Sequence, residues 1–245
     1  MNMKNTSTMT QIMNTKKIPE RNPMIETKMK KNRTKDDSGA YIKICEWNVR
    51  SNLNARENEM KQILKKENID ILFCTETDST DARNNFKFPG HETFYPLVSV
   101  INPKDTVRIV CITRDSPHLT FKLRTNLMSP ELASIWIEVR TDSNKKFLIG
   151  GFYREWTVNG DSSITRQVNS MNIITQQIDD ACKECDRVIV RGDMNLCMMK
   201  WDNAGYRLKQ ISSLLRAALE SNKMIIADVG PSYFPDHPNA AGEYV

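Results

Sequence analysis

Four short stretches of this 245-residue sequence end in side chains able to hold a hard cation or a phosphate. Tyr41 to Trp47 runs into Asn48, Ile69 to Thr75 into Glu76, and Phe147 to Phe152 into Tyr153. Val188 to Val190 runs through Arg191-Gly192 into Asp193-Met194-Asn195. Short, mainly apolar runs of this kind read as buried strands, and ligands in α/β sheets bind beyond the carboxyl ends of strands. Two carboxylates and two amides are hard oxygen donors, suited to Mg²⁺ or Mn²⁺. No His/Cys grouping has the spacing of a zinc site. Each residue also has a plain structural reading. Glu76 would be a surface acid, Asn48 a turn cap, Gly192-Asp193 a common turn pair and Tyr153 a core residue with a satisfied hydroxyl. What singles them out is the repetition at four strand ends.

The elements that must position these ends alternate between strand and helix. Asn54-Ala55-Arg56-Glu57 has the form of a capping box, and Met60, Ile63 and Leu64 follow it at helical spacing. Residues 94–100, 107–113, 119–124 and 132–139 read as strands joined by turns that hold Pro103, Pro117 and Pro130. In the strand 147–153, Gly150 and Gly151 mark either a bulge or a close backbone approach. Ile164, Val168, Met171, Ile174, Ile178 and Ala181 recur every three or four residues and predict a long helix. Leu208, Ile211, Leu215 and Ala218 predict another, and Met224 to Ala227 begins a further strand. Helices alternating with strands around a strand-rich middle point to a two-sheet α/β sandwich.

Residues 1–40 differ from the rest. They carry nine Lys/Arg against four Asp/Glu and no apolar periodicity, which predicts a disordered basic leader before a domain over 41–245. The whole net charge of +5 lies in that leader, because the remainder holds 26 side chains of each sign. Lys28 to Lys35 has the make-up of a nuclear-targeting or nucleic-acid-binding patch, with a solvated tail as the plain alternative. A phosphate-tracking surface on the domain must therefore come from local clustering of charge. No apolar run approaches the ~20 residues of a membrane span, and no signal-peptide core is present. The six cysteines lie mostly in apolar runs without a dense framework. The expected setting is nuclear or cytoplasmic, not secreted, and away from membranes. Cys182-Lys183-Glu184-Cys185 is a lone pair near a helix end and reads as structural.

Beyond the chemistry of single residues, the wording of the motifs carries a resemblance. Ile44-Cys45-Glu46-Trp47-Asn48-Val49-Arg50-Ser51, followed by Asn68 to Thr77, resembles the opening of endonuclease/exonuclease/phosphatase domains. Gly150-Gly151-Phe152-Tyr153-Arg154 resembles their central Tyr-bearing strand, and Arg191-Gly192-Asp193-Met194-Asn195 their Gly-Asp-x-Asn signature. The resemblance spans about residues 41–230 and is most similar in wording to the AP-like endonucleases of non-LTR retrotransposons. It implies an α/β/β/α sandwich and a Mg²⁺- or Mn²⁺-dependent endonuclease acting on DNA. It further implies that Glu76 holds the metal with Asn48 beside it, and that Asp193 orients or deprotonates the attacking water. Asn195 and Tyr153 would hydrogen-bond the phosphate. Arg50 and Arg154 are candidate phosphate contacts, a surface ion pair being the alternative for each. Trp156 either stacks on a base or fills a core or rim position.

The family pattern continues with a Ser-x-x-Asp stretch and a closing Asp-His pair, and neither is found here. Asp236-His237 lies about forty residues past Asn195, between Pro235 and Pro238, with no apolar strand to deliver it. It is therefore not taken as that pair, and His237 is expected outside the site. The expectation is a domain incomplete at its C-terminus, with activity impaired by loss of cooperating groups. The alternatives are an inactive remnant that at most binds nucleic acid, and a phosphodiesterase for small molecules.

Overall fold

The computed structural model describes residues 42–49, 56–79, 87–97, 107–155, 163–196, 200 and 208–226, together with the backbone of the strand Ile12–Asn14. Strands β1 (Ile12–Asn14), β2 (Ile44–Asn48), β3 (Ile71–Ser79), β4 (His91–Phe94) and β5 (Val107–Arg114) precede β6 (Leu119–Leu123) and β7 (Ala133–Thr141). Strands β8 (Lys146–Tyr153), β9 (Val188–Asp193) and β10 (Met224–Ile226) follow. Helices are α1 (Glu57–Glu67), α2 (Ile164–Glu184) and α3 (Lys209–Ser221). One sheet has the order β10-β1-β9-β8-β7-β6 and the other β2-β3-β5-β4.

Side-chain alternation along the strands builds three cores. Trp136, Leu148, Phe152, Val188 and Val190 pack with Met171, Ile174 and Ile178 of α2 and Ile211, Leu215 and Leu219 of α3. Cys45, Trp47, Leu72, Cys74, Val110 and Ile112 pack with Met60 and Leu64 of α1. Between the sheets lie Ile44, Ile71, Phe73, Ile109, Cys111, Ile135, Ile137, Ile149 and Ile189. The layers therefore run helix, sheet, sheet, helix, the α/β/β/α sandwich expected. Each large side chain buried in them contributes roughly 1.5–3 kcal/mol.

Gly150 and Gly151 mark close approach, since the β7–β8 register runs unbroken through them. A Cβ on Gly150 would sit 2.8 Å from the Trp136 ring, and one on Gly151 would sit 2.2 Å from Phe73. The Trp136 indole then donates to Gln177 Oε1 at 2.9 Å, fastening α2 to its sheet.

Two local expectations change. Asn54 lies outside the described residues, and the N-cap of α1 is Arg56, which makes no side-chain cap bond and pairs with Glu59 at 3.0 Å. Three residues of the leader, Ile12–Asn14, form β1, antiparallel to both β9 and β10. The flanking strands present rows of backbone donors and acceptors, and a short extended segment satisfies them whatever its own propensity. Among the described residues, no helix is long and apolar enough to cross a membrane.

Candidate active site

The site is built by strand parity at one end of the gap between the sheets. On β2, Ile44 faces the gap, so Glu46 and Asn48 face it too. On β8 the same holds for Ile149, Gly151 and Tyr153, and on β9 for Ile189, Arg191 and Asp193. The parallel β8–β9 pairing sets Tyr153 directly opposite Asp193. Asn48 and Asp193 meet across the gap, the amide Nδ2 donating to Oδ2 at 3.4 Å.

Glu76 breaks the rule. Leu72 and Cys74 point toward α1, and continued alternation would send Glu76 there as well. Its backbone instead takes the left-handed conformation, φ 55°, at a register irregularity between Thr75 and Ser79. A bulge of this kind re-aims a side chain, and Glu76 Oε1 accepts from the Tyr153 hydroxyl at 3.4 Å.

The turn after β9 is held from several sides. Asn195, also left-handed at φ 49°, donates its backbone N–H to Asp193 Oδ1 at 2.9 Å and its side-chain amide to the Arg154 carbonyl at 2.7 Å. Burial pushes the Asp193 carboxyl above its ordinary value; the Asn195 N–H opposes this and the charge of Glu76 adds to it. Burial likewise raises the Tyr153 phenol, against the pull of Arg108, so its hydroxyl is a donor at neutral pH.

Beneath these groups lies a buried pair that the sequence did not disclose. Arg191, 2% exposed, donates through Nη1 to the Ile44 carbonyl and so ties β9 to β2 across the gap. Glu46, 7% exposed, lies beside it and accepts from the Gly192 N–H. Burial, then the charge of Asp193, pushes the Glu46 carboxyl up to about 8, with Arg191 and the Gly192 N–H opposing. The folded chain keeps this proton to about pH 8, whereas an unfolded glutamate loses it near 4.5. The folded state thus binds more protons in that window, and stability falls as pH rises through it, levelling above the folded pKa. Glu46→Gln removes this contribution. Without divalent metal, the midpoint of Glu46→Gln minus that of the unaltered chain is expected to grow from about pH 5 to about pH 8. A difference that stays flat would show that Glu46 is ionised throughout.

The structure thus brings Asn48, Glu76, Tyr153, Asp193 and Asn195 to one mouth. Arg154 has a different place from the one its sequence suggested. It is fully buried, with Nε donating to the Met194 carbonyl at 2.5 Å, Nη1 to Gln167 and Nη2 to the Asn195 carbonyl at 2.8 Å. Strand parity turns it behind the sheet, where it braces the signature turn. Arg50, Trp156 and the Asp236-His237 segment lie outside the described residues. Cys182 and Cys185 form no disulfide and pack at the edge of the helix-side core.

Among the described residues, no group of three or more His, Cys, Asp and Glu is placed to hold a metal. Mg²⁺ does not require one, because it keeps several waters and takes one or two carboxylates. The mouth supplies two partly buried carboxylates, Glu76 and Asp193, of which the second feels the first's charge, together with the Asn48 amide. That donor set fits a hard divalent cation.

Two apposed sheets with helices outside form the sandwich of the endonuclease/exonuclease/phosphatase fold. The chain shares it with the endonuclease domain of TRAS1, a telomere-specific non-LTR retrotransposon, at TM-score 0.52 and 15% identity over 72% of each chain. The 3′ phosphatase NExo from Neisseria, bound to a product DNA hairpin, matches at 0.49 and 16% identity over 74% of this chain and 71% of its own. TDP2 of D. rerio, complexed with a single-strand DNA product, matches at 0.47 and 18% identity over 67% and 64%. No family model matches the sequence, and no curated protein does.

Proposed function

We propose that this chain is a divalent-metal-dependent phosphodiesterase that cuts DNA, with the site at the mouth between the sheets. The observation that supports this best is the meeting of the ends of β2, β8 and β9 with the irregularity inside β3 that carries Glu76, joined by the Asn48–Asp193 contact across 145 residues of sequence. Glu76, with Asn48 beside it, would hold Mg²⁺ or Mn²⁺, which when bound supplies Lewis-acid polarisation of the phosphate. Asp193 is fixed by Asn48 and the Asn195 N–H, and its raised pKa suits a group that orients a water and takes its proton. Tyr153, whose single proton goes to Glu76 in this structure, would turn it to a phosphate oxygen on which charge develops. Asn195 gives one amide proton to Arg154, leaving its other donor for the phosphate. The TRAS1 likeness in fold favours DNA over a small phosphoester as substrate.

A second reading is a module that binds nucleic acid without cutting it, favoured by the concentration of net charge in residues 1–40. Both meet one experiment, conversion of supercoiled plasmid to open circle in Mg²⁺, Mn²⁺ or EDTA. Nicking that requires metal supports the first reading. Binding with no nicking in either metal supports the second. Replacing the nine Lys/Arg of residues 1–40 by Gln, which keeps Ile12–Asn14 in its sheet, is expected to remove most nonspecific affinity and most of its salt dependence; an unchanged salt slope would place the whole contact surface on the domain.

A further inference from the structure

The mouth carries one more charged element, for which the roles above have no use. Arg108 stands on β5 and donates through Nη2 to the Tyr153 hydroxyl at 3.0 Å. Its guanidinium lies 5.0 Å from the centre of the Tyr153 ring, and Nε lies 3.2 Å from Glu155 Oε1. Tyr153 in turn reaches Glu76 at 3.4 Å. A guanidinium therefore stands one hydrogen bond from the phenol and two from the carboxylate of the site. Alternation on β5 would send Arg108 toward α1 with Val110 and Ile112. The register jumps there from Thr75–Ile109 to Ser79–Val107, so three residues of β3 oppose Arg108 alone. The irregularity that re-aims Glu76 thus turns Arg108 into the same mouth.

The chemistry of the mouth calls for such a group. Glu76, Asp193 and Glu155 make its wall acidic, and a phosphodiester entering it meets like charge. Arg154 is closed off behind the sheet. Arg108 and Glu155 are about a quarter exposed, at 26% and 24%, so solvent reaches the pair but screens it incompletely. A planar guanidinium matches a phosphate with two parallel donors. Glu155 occupies the guanidinium that a phosphate would otherwise take.

We propose that Arg108 is a phosphate-contacting cation of this site, held in place by Tyr153 and Glu155, and that a DNA phosphodiester displaces Glu155 from it. The inference rests on the reading of the mouth as a phosphodiester site. Binding of a fluorescein-labelled 20-bp DNA duplex to the full chain, followed by anisotropy in EDTA over a range of salt, tests it without hydrolysis. Arg108→Gln is expected to weaken binding about tenfold and lower the salt slope by about 0.9. Arg108→Lys keeps the charge and is expected to restore the slope while binding more weakly than Arg. Glu155→Gln removes the competing carboxylate charge from beside the guanidinium and is expected to tighten binding about threefold.

A residue that merely props Tyr153 would lower the unfolding temperature and leave the slope unchanged. Equal affinity and slope in Arg108→Gln, or weaker binding in Glu155→Gln, would overturn the proposal. Should Arg108→Gln fail to fold, Glu155→Gln decides alone. Hydrolysis is read separately. A chain that binds through Arg108 yet never nicks refutes the catalytic reading and leaves this inference standing. A nicking chain whose binding ignores Arg108 does the reverse.

Discussion

Asp193→Asn is expected to lower metal-dependent nicking by a factor of about 10²–10⁴ while leaving duplex affinity within about twofold, the loss typical of a missing general base. The substitution is nearly isosteric, and its carbonyl oxygen can still accept the Asn195 N–H that Oδ1 receives at 2.9 Å. The turn is therefore kept while the group able to take a proton is lost. Single-turnover nicking with excess protein separates this from slow product release. A variant that nicks at the unaltered rate would remove Asp193 from the chemistry and leave the Gly-Asp-x-Asn signature a structural turn.

The largest loss of stability is expected from Gly192→Ala. Gly192 has φ +138°, a region open almost only to glycine, and a Cβ there would stand 2.0 Å from the Phe152 carbonyl oxygen. That oxygen belongs to the β8–β9 ladder, where Phe152 pairs with Gly192, so it cannot swing aside. Backbone strain and the clash together are expected to cost about 3 kcal/mol or more. Denaturant unfolding would report it as a lower midpoint at unchanged slope. A loss below about 0.5 kcal/mol would place it with ordinary surface changes and show that β8 gives way.

Most strands were legible in the sequence because their interior runs are apolar and short, as at Ile71–Cys74 and Val188–Val190. The site was legible where parity alone aims a side chain, as for Asn48, Tyr153 and Asp193. Glu76 was found by its motif, yet its direction was not legible, because the left-handed turn that re-aims it is set by the mismatch between β3 and β5. Arg108 was passed over for the same reason: within Val107–Arg114 it reads as the polar member of an alternating strand. Arg154 shows the opposite error. Its neighbour Tyr153 faces the mouth, and the period of two that puts Tyr153 there sends Arg154 to the other side. Glu46 and Arg191 gave no signal, since a charge inside an apolar run does not name its partner 145 residues away. Ile12–Asn14 lies in a polar leader, where only the open slot between β9 and β10 dictates a strand.

The division of the sheets along the chain also sets a timetable for synthesis. Every strand of the four-stranded sheet comes from residues 44–114, whereas the other sheet draws on 119–226 and on Ile12–Asn14. Chains fold from the N-terminus as they leave the ribosome, so Asn48 and Glu76 can be in place while Asp193 is still untranslated. Docking of β9 against the earlier sheet completes the cluster and gives the strand at Ile12–Asn14 its first partner, with Met224–Ile226 following as the second. A nascent chain that stalls before residue 188 holds the acid and amide of the mouth but lacks Asp193. Competence for the proposed reaction thus arrives in one late step, when two separately formed layers close on each other.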